Sequence, residues 1–186
     1  MIDTIAQIAA EVPATVKVVG VVAFIAFAVR FYNSFGWTGV PASSIHVIDG
    51  DTFSVLLNSG ERIKVRPTRY DAPELTQKGG KMASAEMRRL AKGGLLLKER
   101  HYDIYGRIVA DVRIGLDGKG GDLARHMMKL GLAHSTSESG IVRFLSTLGP
   151  RLAGRGIWKN SWLGLRVTNP RVHRAAKAWM ERHHGF

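Results

Sequence analysis

The chain has 186 residues, 45% of them hydrophobic and 23% charged, the size and texture of one globular domain with an appendage, which excludes a wholly disordered chain, a collagen and a polytopic membrane protein. It contains no cysteine, so a disulfide framework and a zinc site built on thiolates are excluded as well. Lys and Arg number 27 against 15 Asp and Glu, a net charge of +12. Residues 1–40 contribute none of it, and the excess on the remainder favours a polyanionic partner, nucleic acid or an anionic lipid surface, over charge carried for solubility alone.

In chain order, Ala14 to Val29 is apolar apart from Thr15 and Lys17. Pro13 to Tyr32 supplies the roughly 20 positions a spanning helix needs, with Lys17 able to snorkel and Phe31, Tyr32 and Trp37 placed as interfacial aromatics. Residues 1–16 carry no Lys or Arg, so residues 1–32 read as an uncleaved transmembrane anchor ahead of a signal peptide, with a soluble amphipathic helix as the third reading. Lys17 and Arg30 flank the segment one to one, which leaves its orientation open. Residues 33–44, uncharged and rich in Gly, Ser and Pro, read as a tether.

From Ile45 the texture changes, and residues 45–160 read as one domain. Thr52 to Leu57 alternates as a strand, Asn58-Ser59-Gly60 is a turn, and Arg62 to Arg66 alternates again with Ile63 and Val65 on one face. Met82 to Lys92 has helical spacing, and His101 to Ile114 offers two strands around Tyr105-Gly106-Arg107. Asp122 to Leu130 is a second helix, with Leu123, Met127 and Leu130 on one side. Ile141 to Leu148 starts a third, which Gly149-Pro150 is expected to kink or split. In the basic extension, residues 161–186, Asn169-Pro170 is a helix start, with Val172, Ala175, Ala176 and Trp179 as an apolar stripe. That helix reads either as solvated and packed on the domain or as a further contact to a nucleic-acid backbone or anionic lipid. Short strands followed by segregated helices give the class α+β.

Four clusters carry chemistry: Asp49-Gly50-Asp51-Thr52, Arg66 followed five residues later by Asp71, Asp71-Ala72-Pro73-Glu74, and Asp103-Ile104-Tyr105-Gly106-Arg107. Taken singly, the first is a turn with an Asx cap and the third a loop with a helix-start proline. In this order and spacing they resemble the thermonuclease (staphylococcal nuclease-like, SNase-like) family. The resemblance runs on through Gly131-Leu132-Ala133 to Gly156-Ile157-Trp158.

The resemblance implies a five-stranded OB-fold β-barrel with three helices. It also implies Ca²⁺-dependent, largely sequence-nonspecific hydrolysis of phosphodiester bonds in DNA and RNA, leaving 3′-phosphate ends. Asp51 and Asp71 are hard oxygen ligands suited to Ca²⁺, and the resemblance adds the backbone carbonyl of Ala72. Asp49 is implied to hold one of the metal's waters. Glu74 matches the general base, or the group that positions the attacking water. Arg66 and Arg107 match two phosphate-binding arginines, whose planar forks hold two oxygens at once and act most strongly in the transition state. Tyr105 matches a contact to the terminal phosphate of bound nucleotide.

Two features depart from that pattern. Pro67-Thr68-Arg69-Tyr70 stands where the family has apolar strand residues, and Pro67 implies an edge or bulge beside Arg66. Ile104 replaces a commonly basic phosphate contact. The 7 histidines show no paired metal spacing and receive no metal role. Two other function classes compete: an OB module that holds single strands without cutting, and a membrane-tethered scaffold. The expected setting is a single-pass anchored nuclease domain outside the cytoplasm, with a secreted one as runner-up, and no protein partner is inferable.

Overall fold

A computed structural model describes residues 13–137, 139–159, 167 and 169–184 of the chain. The chain divides into two compact units, Met1–Trp37 and Thr38–Phe186.

The first unit is built on helix α1, Ala14–Ser34. Several of its apolar side chains, among them Val18, Val22, Phe24 and Ile25, are exposed. Among the described residues no helix is long and apolar enough to cross a membrane, which does not bear out the spanning anchor expected at residues 1–32. The physical reason is the length of the uninterrupted apolar run. Val18–Val29 lies between Lys17 and Arg30 and extends about 18 Å at the helical rise, against a hydrocarbon core of about 30 Å.

The second unit contains strands β1 (Thr38–Val40), β2 (Ile45–Val47), β3 (Phe53–Leu56), β4 (Arg62–Pro67), β5 (Tyr70–Asp71), β6 (Leu95–Tyr102), β7 (Ile108–Ile114) and β8 (His134–Ser135). Its helices are α2 (Gly80–Ala91), α3 (Leu123–Lys129), α4 (Gly140–Leu152) and α5 (Pro170–His184). The class is α+β. Six strands form one mixed sheet in the order β1-β6-β7-β4-β3-β2, curled into a half-barrel, and β5 and β8 form a separate two-stranded ladder. The pairing of β4 with β7 is parallel and the other pairings are antiparallel. The sheet has six strands where five were expected because Thr38–Val40, inside the segment read as a tether, pairs with Leu95–Leu97 and buries Val40.

Cross-strand pairs on the inner face set the register. Phe53 lies opposite Val65 and Val55 opposite Ile63, so the alternating apolar positions of two strands close on the same core. Onto that face α2 lays Ala83, Met87 and Leu90, and α3 lays Leu123 and Met127, spacings of three and four that put each set on one side of its helix. Met87 is fully buried, so its truncation to Ala would cost about 2–5 kcal/mol. Asp122 caps α3 by accepting the Arg125 N–H at 2.9 Å, satisfying one of the helix's orphan donors.

Three local expectations are corrected. Strand β4 lies inside the sheet between β3 and β7, not at an edge. Pro67 is tolerated there because it is the last residue of the strand and Thr68 supplies the next donor, its N–H reaching the Ala110 carbonyl at 2.9 Å. Helix α4 is not split at Gly149-Pro150 but runs to Leu152 with Pro150 buried inside it. A proline so near the helix end removes one backbone hydrogen bond and leaves no long segment to deflect. Helix α5 begins at Pro170 as the sequence indicates, yet Val172 and Trp179 of the apolar stripe remain more than half exposed.

Candidate active site

The acidic turn is fixed by close packing. Asp49 Oδ1 accepts the Asp51 N–H at 2.9 Å, an Asx cap on the turn between β2 and β3. A Cβ at Gly50 would fall 2.7 Å from the Cβ atoms of Ala72 and Ala83, so glycine alone lets the turn press onto the Ala72 loop and α2. The buried Tyr70 hydroxyl donates to the Gly50 carbonyl at 3.0 Å. Asp51 is thereby pinned against the neighbouring loop, and its Oδ2 accepts the Ala72 N–H at 2.7 Å.

Asp71 arrives by a different route. Arg69, at φ 71°, takes a left-handed conformation uncommon for a side-chain-bearing residue and swings the chain from β4 into β5. The β5–β8 ladder then sets Asp71 opposite His134. Arg66, at the end of β4, spans both acids: Nη1 lies 2.6 Å from Asp51 Oδ1 and Nη2 2.6 Å from Asp71 Oδ1. The Asp51 and Asp71 side chains are only 9% and 3% exposed. Burial pushes the Asp51 carboxyl up to about 7; Arg66 opposes the shift, while the charges of Asp49 and Asp71 add to it.

Glu74 sits in the loop leading to α2. Its N–H donates to Gln77 Oε1 at 2.8 Å, and a Cβ at Gly80 would lie 1.8 Å from the Glu74 carbonyl oxygen, so the loop can close only around glycine. Across the cleft, Asp103 organises the β6–β7 turn. Its Oδ1 accepts the N–H groups of Tyr105 and Arg107 at 2.9 and 3.0 Å, and its Oδ2 accepts Arg107 Nε–H at 2.7 Å. The Arg107 guanidinium lies over the Tyr105 ring, 5.2 Å from its centroid, a cation–π contact that holds the fork at the cleft rim.

One cleft of about 610 Å³ is lined by Asp49, Asp51, Arg66, Asp71, Glu74, Tyr105 and Arg107 together. These are the residues singled out in the sequence. Ala72, also singled out, lies behind Asp51, buried, with its N–H on that carboxylate. Asp49 faces the cleft while capping its own turn. Arg66 is turned inward onto the acids, not outward into open solvent. Ile104 is 92% exposed at the turn tip.

Sequence reasoning missed Arg174. From α5 its Nη2 donates to both oxygens of Asp71, at 2.7 and 3.0 Å, and its Nη1 donates to Glu74 Oε1 at 2.7 Å. Arg171, one helical turn earlier, lines the same cleft. The available signal was the three-residue spacing of Arg171 and Arg174, which puts both on one helix face. His134 was also passed over. It is buried edge-on against Trp158 at 5.0 Å between centroids, its Nε2 finds no hydrogen-bond partner among the described residues, and burial lowers its pKa to about 4.

Two buried carboxylates that share one guanidinium are a donor set of the kind hard divalent cations take. Among the described residues no three His, Cys, Asp or Glu side chains group to hold a metal ion. A Ca²⁺ site of the implied type needs two such side chains, Asp51 and Asp71, with the Ala72 carbonyl, and the chemistry of that set fits.

No family model matches the chain. It is similar to Protein ParB of Escherichia coli, with 30% identity over 93 residues that make up 50% of this chain and 52% of that protein. The chain thus spans about half the length of the relative it matches.

Proposed function

We propose that the chain is a Ca²⁺-dependent nuclease that hydrolyses phosphodiester bonds in DNA and RNA with little sequence preference. The observation that carries this reading is the single cleft in which four acids from two separated segments, Asp49, Asp51, Asp71 and Glu74, meet Arg66 and Arg107. The half-barrel is read, at finer resolution, as the OB-type frame of that nuclease. The net charge of +12 supplies attraction for a polyanionic strand.

The residues divide the work as follows. Asp51, Asp71 and the Ala72 carbonyl would hold the cation, which when bound supplies charge compensation at the phosphate. Glu74 takes a proton from the attacking water as its oxygen bonds to phosphorus. The bond from phosphorus to the 5′-oxygen breaks, that oxygen takes up a proton, and the phosphate stays on the 3′ side. Arg107, braced by Asp103 and Tyr105, presents a planar fork to two phosphate oxygens, where an oriented donor does most in the more negative transition state. Tyr105, 76% exposed, offers its hydroxyl and ring to the bound nucleotide. Arg66 keeps the two buried carboxylates together and is the second arginine on the wall of the cleft that receives the phosphate.

The test is the chemistry of the ends. Single-stranded DNA and RNA oligonucleotides incubated with the chain and Ca²⁺ should give fragments bearing 3′-phosphate, resolved by mass. Fragments with 5′-phosphate ends, or none at all with Ca²⁺ present, would reject the reading. The second reading, a module that holds strands without cutting, is favoured by one observation: guanidinium groups already occupy the carboxylates. Lipid association through the exposed apolar side chains of α1 belongs to the proposal as the chain's setting.

A further inference from the structure

Helix α5 does not meet the cleft through its apolar stripe. It meets it through Arg174, whose side chain is 43% exposed and yet makes three hydrogen bonds to two acids. One of those acids, Asp71, is 3% exposed and would serve as a cation ligand. The other, Glu74, would take the water's proton. A paired fork on a buried carboxylate is a strong, oriented contact, and both Asp71 oxygens are engaged by it. A divalent cation seeking those oxygens therefore competes with a cation the chain carries itself.

We propose that α5 is an internal gate. Arg174 holds Asp71 and Glu74 in the cation-free chain, and Ca²⁺ binding displaces it, releasing Glu74 at the same time. The proposal rests on the assignment of Asp71 to the cation in the reading above. The gate couples cation to base, because the same event that fills the site frees Glu74, and it weakens Ca²⁺ binding by the fraction of chains in which Arg174 occupies the acids. Arg171 provides an internal comparison: it lines the same cleft on the same helix and, among the described residues, makes no hydrogen bond to either acid. Removing it changes the local charge equally without opening the gate.

The experiment is calorimetric titration of CaCl2 into the full chain, with no nucleic acid present, for the unaltered protein, Arg174→Ala, Arg174→Gln and Arg171→Ala. Circular dichroism on each variant checks that the helices persist. Both Arg174 variants should bind Ca²⁺ about tenfold more tightly than the unaltered chain, equal to about 1.4 kcal/mol, while Arg171→Ala stays within about threefold, the effect of one screened charge. Arg174 variants that bind no more tightly than Arg171→Ala would overturn the gate, as would a chain that binds no Ca²⁺ in any form. Tighter binding by the Arg174 variants with no cleavage by any form would keep the gate and reject the nuclease. Ca²⁺-dependent cleavage with identical affinities would do the reverse.

Discussion

Replacing Arg66 by Met probes the site's electrostatics while keeping the length of the side chain. The guanidinium lies 2.6 Å from each of two carboxylates and also donates to the Asp51 carbonyl at 2.8 Å. Removing it leaves Asp51 buried with Asp49 and Asp71 near it and no compensating charge of its own. Breaking a buried pair in this way costs about 3–5 kcal/mol, a large share of the about 5–15 kcal/mol that holds a domain together. The cost depends on pH with a definite sign. Burial already raises the folded-state pKa of Asp51 to about 7 from 3.8, and losing Arg66 raises it further. The folded form then binds a proton that the unfolded form does not, and stability falls as pH rises through that window. Urea unfolding in chelator should therefore show Arg66→Met losing about 3–5 kcal/mol at pH 8 and distinctly less at pH 5. Excess Ca²⁺ at pH 8 should restore part of the loss. A loss below about 1 kcal/mol at both pH values, the size expected of an exposed pair, would refute the shared buried site.

Three further predictions follow from separate parts of the molecule. Arg107→Lys keeps the charge but loses the fork held over Tyr105, so turnover should fall by about tenfold or more while strand affinity changes little; equal losses in both would make Arg107 a plain backbone contact. Deleting residues 1–37 removes the first compact unit, and the remainder should still unfold cooperatively on heating; the full chain should float with anionic vesicles and the shortened one should not. His134 is held neutral, its pKa lowered to about 4 from 6.5, so its stabilising effect is present above about pH 6.5 and is lost as pH falls toward 4, by up to about 3 kcal/mol. Thermal unfolding of His134→Phe should accordingly show a flatter pH dependence than the unaltered chain, and an identical slope would contradict the assignment.

The parts of this molecule written in local pattern were legible. The period-two apolar positions of Phe53, Val55, Ile63 and Val65 and the helical spacing of Ala83, Met87 and Leu90 announce a sheet with helices on one face. The acids and arginines stand in short clusters whose order carries their meaning. What escaped was decided by long-range pairing. Thr38–Val40 is too short and too rich in glycine to show a period, and becomes a strand only because Leu95–Leu97 offers it an edge. Pro67 looks like an edge residue until Thr68 is seen to donate in its place. Arg174 is one basic residue among several on α5, and its reach to Asp71 spans 103 positions, which no local pattern encodes. The apolar N-terminal run shows no spanning helix among the described residues, and its uninterrupted part is bounded by Lys17 and Arg30.

The central claim is that buried carboxylates and facing arginines form one cation-dependent cleaving site. Nicking of supercoiled plasmid by the unaltered chain and by Asp51→Asn, each in Ca²⁺ and in chelator, tests it most directly. The account predicts nicking by the unaltered chain in Ca²⁺, none in chelator, and a rate for Asp51→Asn lower by about 100-fold or more, since the substitution keeps the shape but removes one of two charged ligands. Nicking that persists in chelator, or an Asp51→Asn rate equal to that of the unaltered chain, would contradict it.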